Sequence, residues 1–277
     1  MATYLTDAAS GWPRGIPVVL YGTDDYQAGA RLMGVSGSWL EDLERRCLTE
    51  ADAVVAVSDE LATRWAGIRP GVQTLRNGCR VLSSDGADRP TRSAARLPYV
   101  SPGSPVVGLV GQLSARISLD VLEAIADAGI SLLLVGPVDP HWPASDKFKV
   151  LCRRNNVEYV GRVDPSELMA FFELMDVGIT PYADSPFNTA SFPLKTLEYL
   201  GAGLPVVASD IAPSRWVRRD LESRLGTSEA DRHFRLAVRP AEFVTEILTL
   251  ARSGGRHDPS RRQQYAAHHT WESRTNT

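Results

Sequence analysis

The chain has 277 residues, a formal net charge of −3 and 43% hydrophobic residues, which suffices for the cores of one large domain or two smaller ones. Its basic residues are scattered, so no basic patch indicates a nucleic-acid partner. Three cysteines without a CxxC pair argue against a disulfide framework or a thiolate zinc site and favour a reducing cytoplasm. No apolar run reaches the roughly 20 residues that cross a bilayer, and the first residues lack a signal-peptide pattern. Peripheral contact with a membrane is compatible with the sequence.

Short apolar runs alternate with amphipathic stretches nearly throughout, a pattern typical of parallel sheets covered by helices on both faces. The first part of the chain is predicted to contain strands at 16–21 and 53–57 and a helix at about 38–51. Ser58 is predicted to cap a further helix, which carries Leu61 and Trp65 on one face. Residues 83–105 are rich in Ser, Asp, Gly, Pro and Arg, a composition that indicates a linker.

The alternation restarts after this segment. Strands are predicted at 106–110, 130–135, 157–160, 177–180 and 205–209, and helices at 118–128, 193–200 and about 240–252. A further helix is predicted to begin after Asp164, because Pro165 and Glu167 complete the signature of a capping box. We therefore predict an α/β protein with a partial first domain at 1–83, a linker at 84–104, a doubly wound parallel sheet at 105–252 and a tail at 253–277. Tyr265 and Trp271 are the candidate anchors of the tail.

Ligands bind at the carboxyl ends of strands in open parallel sheets, and two strand ends carry modest signals there. In GLVGQLSAR at 108–116, Gly111 lets the backbone approach a ligand and Arg116 offers a guanidinium to a phosphate. A turn with a surface arginine explains this segment equally well. In YVGRVD at 159–164, the backbone around Arg162 and Val163 is suited to a flat base, although an ordinary strand-to-helix turn is the simpler interpretation.

The strongest signal lies at 187–207, with the sequence FNTASFPLKTLEYLGAGLPVV. A polar loop enters a helix whose first amides have no intrahelical acceptor, and Lys195 adds a positive charge beside them, which suits a diphosphate. Glu198 lies three residues further on the same helical face, where its carboxylate can accept hydrogen bonds from ribose hydroxyls. The alternative is an exposed Lys-Glu pair worth only a few tenths of a kcal/mol.

PLKTLEYL at 193–200 followed by GLPVV at 203–207 resembles the donor-site signature of GT-B-fold glycosyltransferases, which have two Rossmann-like domains. LVGP at 134–137, YVGR at 159–162 and MDVGITP at 175–181 follow the order of that family. Within it, the chain is similar to glycosyltransferases of cell-surface polysaccharide synthesis, such as those of teichuronic acid. Its first part resembles the closing part of the acceptor domain, so the resemblance covers roughly residues 16–210.

This resemblance implies transfer of a sugar from a nucleotide-diphosphate donor to a hydroxyl of a carbohydrate or lipid-linked acceptor. It implies no metal and no cofactor beyond the donor substrate, and it assigns no catalytic residue. The ribose is expected at Glu198 and the base near Arg162 and Val163. The diphosphate is expected at the loop of Gly111, at Arg116 and Lys195, and at the backbone of Ser191, Phe192, Pro193 and Leu194.

The sequence departs from the family pattern in several places. Ala190 stands where many relatives carry a glutamate, and Gln112 stands where an arginine is common. The acceptor domain of the family begins with several strand-helix units before the region of Asp24, and almost nothing precedes it here, so we expect an incomplete first domain. A truncated, non-catalytic sugar-nucleotide-binding protein is therefore the alternative function. An epimerase of the same architecture is disfavoured because no placed acid and base are evident.

Two further groups of side chains are of chemical interest. Asp24 and Asp25 follow a strand and are candidates for an acceptor-side or metal-binding role, although adjacent carboxylates in a turn are usually solvated. The five histidines have no metal-ligand spacing and are predicted to be surface residues.

Overall fold

A computed structural model describes Pro13 and residues 15–79, 103–192, 194–253 and 258–275. The described residues form two compact units. The first unit takes its residues from 1–77, 184–192 and 211–213, and the second takes them from 78–183, 193–210 and 214–277. Nearly all of the predicted linker at 84–104 lies outside the described residues.

Strands and helices alternate along most of the described chain. In chain order, the elements are β1 (Val19–Gly22), α1 (Ala30–Met33), α2 (Gly37–Glu50), β2 (Ala53–Ala56), α3 (Asp59–Ala66), β3 (Gln73–Thr74), β4 (Val106–Val110), α4 (Leu119–Asp127), β5 (Ser131–Val135), α5 (Ser145–Leu151), β6 (Val157–Gly161), a 3₁₀ turn (Pro165–Glu167), α6 (Leu168–Leu174), β7 (Val177–Thr180), α7 (Pro186–Ala190), α8 (Leu194–Gly201), β8 (Val206–Ser209), α9 (Ala212–Leu225), α10 (Thr227–His233), β9 (Phe234–Ala237), α11 (Pro240–Arg252), α12 (Pro259–Ala267) and α13 (Trp271–Thr275).

The first unit is built on a parallel sheet of three strands in the order β1-β2-β3. The predicted cap of α3 is confirmed, since the hydroxyl oxygen of Ser58 accepts a hydrogen bond from the amide of Leu61 at 3.2 Å. Leu61 and Trp65 are fully buried. The indole of Trp65 lies over β1, where a Cβ atom at Gly22 would lie 1.9 Å from the ring. The helix therefore packs directly on strand backbone.

The second unit contains a parallel sheet of six strands in the order β6-β5-β4-β7-β8-β9. The five strands predicted for this part of the chain are all present, and β9 is an additional, unpredicted strand. The predicted capping box at Asp164 is also confirmed, although it opens a single 3₁₀ turn that precedes α6. The prediction of an α/β fold with a doubly wound parallel sheet agrees with this topology.

Alternating residues of the central strands face different helices. Val177 and Ile179 of β7 belong to a core cluster that includes residues of α4 and α11, while Gly178 between them faces α8. Gly178 pairs in register with Gly108 of β4. Two glycines side by side thus leave a surface without side chains on the α8 face of the sheet.

Tyr199 of α8 packs on Gly178, and Met175 packs on Gly108. A Cβ atom at position 178 would lie 2.6 Å from the Tyr199 ring, which is fully buried. The tyrosine hydroxyl accepts a hydrogen bond from the amide of Val110, the last residue of β4, at 2.6 Å. The ring therefore spans from β7 to the carboxyl end of β4, and this contact sets the position of α8 against the sheet.

We predict that Gly178→Ala destabilises the protein by about 1–3 kcal/mol, because a buried aromatic ring on a packed helix cannot move aside without repacking. Urea-induced unfolding measures the effect. Gly37→Ala is the control, since a Cβ atom there meets only the Ala30 methyl at an ordinary 3.8 Å. Equal unfolding midpoints for the two variants would contradict the prediction.

The C-terminal helices pack against the end of α8. Arg262 of α12 is 1% exposed, and its Nε donates to the carbonyl of Gly203 at 2.7 Å, just after α8. Its Nη1 lies 3.1 Å from Nδ1 of His233. The predicted surface location of the histidines is therefore wrong for His233, and also for His269, because each is only 1% exposed. Both are held by charged partners on neighbouring helices, which spacing in the sequence does not reveal.

The tail returns to the start of the second unit. The amide of Cys79 donates to the carbonyl of His269 at 2.7 Å, and Cys79 forms a bridge with Thr270. Tyr265 is buried, which confirms it as an anchor. The prediction for Trp271 is wrong, because its side chain is 43% exposed and only its backbone and ring base lie against Gly78.

Stability should depend on the protonation of His233. Burial lowers the pKa of His233, and the Arg262 guanidinium lowers it further while Glu229 opposes the shift. Unfolded histidine takes up a proton below about pH 6.5, whereas folded His233 does so only at lower pH, so the unfolded state binds more protons in that window. We therefore expect the free energy of unfolding to fall as the pH drops below about 6.5.

Urea titrations between about pH 5 and 7 test this. His233→Gln should reduce the slope of unfolding free energy against pH by up to about 1.4 kcal/mol per pH unit. His141→Gln, at an exposed position, should leave the slope unchanged. An unaltered slope in the His233 variant would refute the expectation.

Candidate functional site

A cavity of about 140 Å³ lies in the second unit, where β4 and β7 end. The loop after β4, the loop after β7 and the first turn of α8 all contribute to its wall. The structure brings three of the predicted site residues together here. The lining includes Gly111, Gln112, Arg116, Thr180, Tyr182 and Lys195.

The backbone at the end of β4 is exposed to the cavity because glycines surround it. Gly111 has a φ of +146° and Gly136, after β5, has a φ of +140°, both in the region that favours glycine. A Cβ atom at Gly136 would lie 1.8 Å from the carbonyl oxygen of Gly111, so the two loops approach because Gly136 has no side chain. A Cβ atom at Gly111 would lie 3.7 Å from Cε of Lys195, which places the lysine stem against this loop.

Arg116 is held by the loop that follows β7. The carbonyl of Arg116 accepts from the amide of Ala183 at 2.8 Å, and the amide of Ser118 donates to the carbonyl of Pro181 at 2.8 Å. The guanidinium carbon lies 5.5 Å from the ring centroid of Tyr182, within the range of a cation–π interaction. Tyr182 was not among the predicted site residues. Its place directly after a predicted strand and Pro181 is the signal that could have identified it.

Lys195 and Glu198 form an ion pair on the first turns of α8. The distance from Nζ to Oε2 is 2.6 Å, and the side chains are 31% and 21% exposed. Leu194 begins the helix, so the amides of its first turn lack intrahelical acceptors and add partial positive charge near Lys195. The helix start therefore combines an ammonium group with the Arg116 guanidinium at one cavity, an arrangement suited to a di-anionic ligand.

The residues before α8 have other roles than predicted. The helix α7 occupies part of the expected polar loop, and the amide of Ser191 donates to the carbonyl of Phe187 at its end, at 3.0 Å. The Ser191 hydroxyl donates to Asp24 at 2.7 Å. Ser191 is thus removed from the predicted set of amides that hold a diphosphate. Phe192 is buried in the same unit, and Pro193 lies outside the described residues.

Arg162 and Val163 follow β6, two strands away from β4 at the same edge of the sheet. Two strand spacings amount to about 10 Å, a separation that a nucleotide can span. Arg162 is exposed and Val163 is half-buried, and neither lines the cavity described above. Their role at the base stays a prediction.

The two aspartates of the first unit are engaged in its structure. Asp25 is 5% exposed, accepts from the amide of Ala28 at 2.9 Å and lies 3.1 Å from Arg64, which also binds Glu44. Burial raises the pKa of Asp25, although the hydrogen bond from Ala28 and the charge of Arg64 act in the opposite direction. Asp24 accepts the Ser191 hydrogen bond. Asp25 therefore contributes to the packing of α2 and α3 and does not lie in a solvated turn.

Two structural features can be assessed in the described part of the chain, a cluster of metal-ligating side chains and a membrane-spanning helix. Within it, no group of three or more His, Cys, Asp or Glu side chains is arranged to hold a metal ion. Within the same ranges, no helix combines the length and the apolar character needed to span a bilayer.

We expect this cavity to bind simple anions such as inorganic pyrophosphate. Arg116→Gln should weaken the binding of inorganic pyrophosphate by about tenfold, the loss expected for one charge-assisted contact. Tyr182→Leu should weaken it by about threefold through the lost support of Arg116, and Tyr182→Phe should not, because the ring face is kept. Isothermal titration measures these constants.

Arg153→Gln is the matched control, since this exposed arginine lies in the loop before β6, at the opposite edge of the sheet. If the Arg116 and Arg153 variants bind pyrophosphate equally well, the cavity is not the anion site.

The fold is that of known glycosyltransferases. Sucrose-phosphate synthase from Thermosynechococcus elongatus superposes with a TM-score of 0.70 at 18% identity, over 93% of this chain and 65% of that chain. Alr3699/HepE from Anabaena, solved with UDP-glucose, gives 0.65 at 17% identity, over 94% and 70% of the two chains. The protein therefore has the GT-B fold of glycosyltransferases, as the sequence resemblance predicted.

The sequence comparison defines the family. Residues 104–252, more than half of the chain, match the family described as glycosyl transferases group 1, and the chain belongs to it. A Bacillus subtilis (strain 168) protein named as a teichuronic acid biosynthesis glycosyltransferase, TuaH, is 32% identical over 179 residues. The match covers 62% of this chain and 44% of TuaH, so the chain spans less than half the length of that relative.

Proposed function

We propose that the protein transfers a sugar from a nucleotide-diphosphate donor to a hydroxyl group of a carbohydrate or lipid-linked acceptor. The product belongs to cell-surface polysaccharide or glycoconjugate synthesis, and the reaction takes place on the cytoplasmic side, with peripheral contact to the membrane where the acceptor is lipid-linked. Membership of the glycosyl transferases group 1 family supports the reaction class. The similarity to TuaH supports the kind of product.

One observation carries the proposal for this chain. Arg116 and Lys195 line the same small cavity at the carboxyl edge of the sheet, and Glu198 is one helical turn from Lys195. The two cations suit the diphosphate of a nucleotide, and the carboxylate suits the ribose next to it. The cavity volume of about 140 Å³ is small for a whole ligand, since ligand pockets usually reach about 300 Å³ or more, and it suits the phosphate portion alone.

The chemistry follows from this placement. Breaking the bond from the sugar to the diphosphate leaves negative charge on the departing phosphate, and positive groups fixed in advance stabilise that charge as it develops. Lys195, Arg116 and the first amides of α8 supply such groups without a metal. Glu198 accepts hydrogen bonds from the ribose and so fixes the position of the diphosphate relative to the cations.

Isothermal titration with UDP, GDP and UDP-sugars tests the donor site. UDP comes first, because the fold relative HepE has been solved with UDP and UDP-glucose. We expect micromolar binding that Lys195→Ala weakens at least tenfold, which corresponds to about 1.4 kcal/mol.

Lys149→Ala is the control. Lys149 also pairs with an acid three residues away, Asp146 at 2.8 Å, but that pair is 68% and 92% exposed on α5. A folded protein that binds none of these nucleotides, or one whose affinity drops equally in both lysine variants, would overturn the proposed donor site.

The non-catalytic alternative is separated by a second measurement. Release of UDP from UDP-sugars, followed in the presence of a panel of oligosaccharide and lipid-linked acceptors, reports turnover. Nucleotide binding that depends on Lys195, together with no turnover under any of these conditions, would favour a sugar-nucleotide-binding protein without transferase activity.

A further inference from the structure

The ion pair on α8 has properties that an ordinary surface pair lacks. Lys195 and Glu198 are about one third and one fifth exposed, whereas the Lys149–Asp146 pair, which has the same spacing in reversed order, is largely solvated. Charges that are partly removed from water interact more strongly and are screened less by salt. The Glu198 carboxylate therefore neutralises much of the positive charge that Lys195 presents to the cavity.

Glu198 also acts on the thiol of Cys79. Burial raises the pKa of this thiol to about 11, and the negative charge of Glu198 contributes to the shift. The thiol is thus neutral at physiological pH and supplies no charge to hold the carboxylate. If an anion draws Lys195 away, Glu198 loses its close ammonium partner and gains a negative neighbour.

We propose that Glu198 is a specificity-determining residue that makes the site bind nucleoside diphosphates in preference to phosphate and pyrophosphate. Any phosphate that binds Lys195 competes with the carboxylate, and an unpaired, partly buried carboxylate is costly. A ligand that carries ribose hydroxyls replaces the lost contact by donating hydrogen bonds to Glu198. Pyrophosphate has no such donors, so the same carboxylate favours one ligand and opposes the other.

This inference rests on the proposed function, because it assumes that the nucleotide diphosphate lies at Lys195. It goes further in assigning Glu198 two effects of opposite sign. A residue that only contacts ribose would leave pyrophosphate binding unchanged when it is removed, and a residue that only stabilises α8 would weaken both ligands together.

The experiment compares the binding of three ligands to the unaltered protein and to a variant of Glu198. UDP, 2′,3′-dideoxy-UDP and inorganic pyrophosphate are titrated into the full chain and into Glu198→Gln, a nearly isosteric variant without the charge. We expect UDP binding to weaken at least tenfold and pyrophosphate binding to strengthen by about three- to tenfold. Dideoxy-UDP has the base and charge of UDP without the diol, and it should also bind more tightly to the variant.

Two further variants complete the design. Asp146→Asn removes the acid of the solvated pair and should change none of the three affinities. Glu198→Ala guards against an amide-specific effect of Gln and should shift the ratio of UDP to pyrophosphate affinity in the same direction. Both affinities are measured on the same preparation, so a partial loss of folded protein does not change their ratio.

The outcomes distinguish the two proposals. If the unaltered protein binds UDP through Lys195 but Glu198→Gln leaves pyrophosphate affinity unchanged or lower, this inference is wrong and the proposed function stands. If no nucleotide binds to the folded chain, both are wrong.

Discussion

The packing of Tyr199 on Gly178 of the central strand β7 is the constraint on which the site depends. With no side chain at Gly178, the ring lies against the sheet and its hydroxyl accepts a hydrogen bond from the last amide of β4. Lys195 and Glu198 are four and one residues before Tyr199 on the same helix. Fixing this ring against β4 therefore fixes the charged side chains relative to the loop of Gly111, and a core contact determines the geometry of a polar site.

The two cations of the site, Arg116 and Lys195, are each held in position by a neighbouring group that carries no positive charge. Arg116 is held over the Tyr182 ring, and its loop is joined to the loop after β7 by backbone hydrogen bonds. Lys195 is held by its own helical neighbour Glu198. One cation of the site is thus oriented by an aromatic ring, and the other is balanced by a carboxylate.

Much of this architecture could be predicted from the sequence because it depends on local patterns. Short apolar runs located the strands of both sheets except β3 and β9, and the cap at Ser58 and the capping box at Asp164 were evident from residue type. β9 escaped prediction because FRLA is short and contains an arginine. Tyr182 follows a predicted strand and Pro181, but its contact with Arg116 depends on the approach of two loops.

Features made by distant residues could not be predicted from local patterns. The amide of Ser191 was expected in an open loop, yet α7 uses it. Asp25 and His233 looked like solvated polar residues, and their partners Arg64 and Arg262 come from helices elsewhere in the sequence. A single sequence shows which groups are chemically able to pair, and only the fold decides which of them meet.

The bridge between Cys79 and the His269–Thr270 segment has a consequence for the order of assembly. It joins two points separated by almost the whole length of the second unit. The entropy lost in closing so long a loop is on the order of 5 kcal/mol, far more than one hydrogen bond returns. The bridge therefore closes late in folding, once the sheet has brought both segments together.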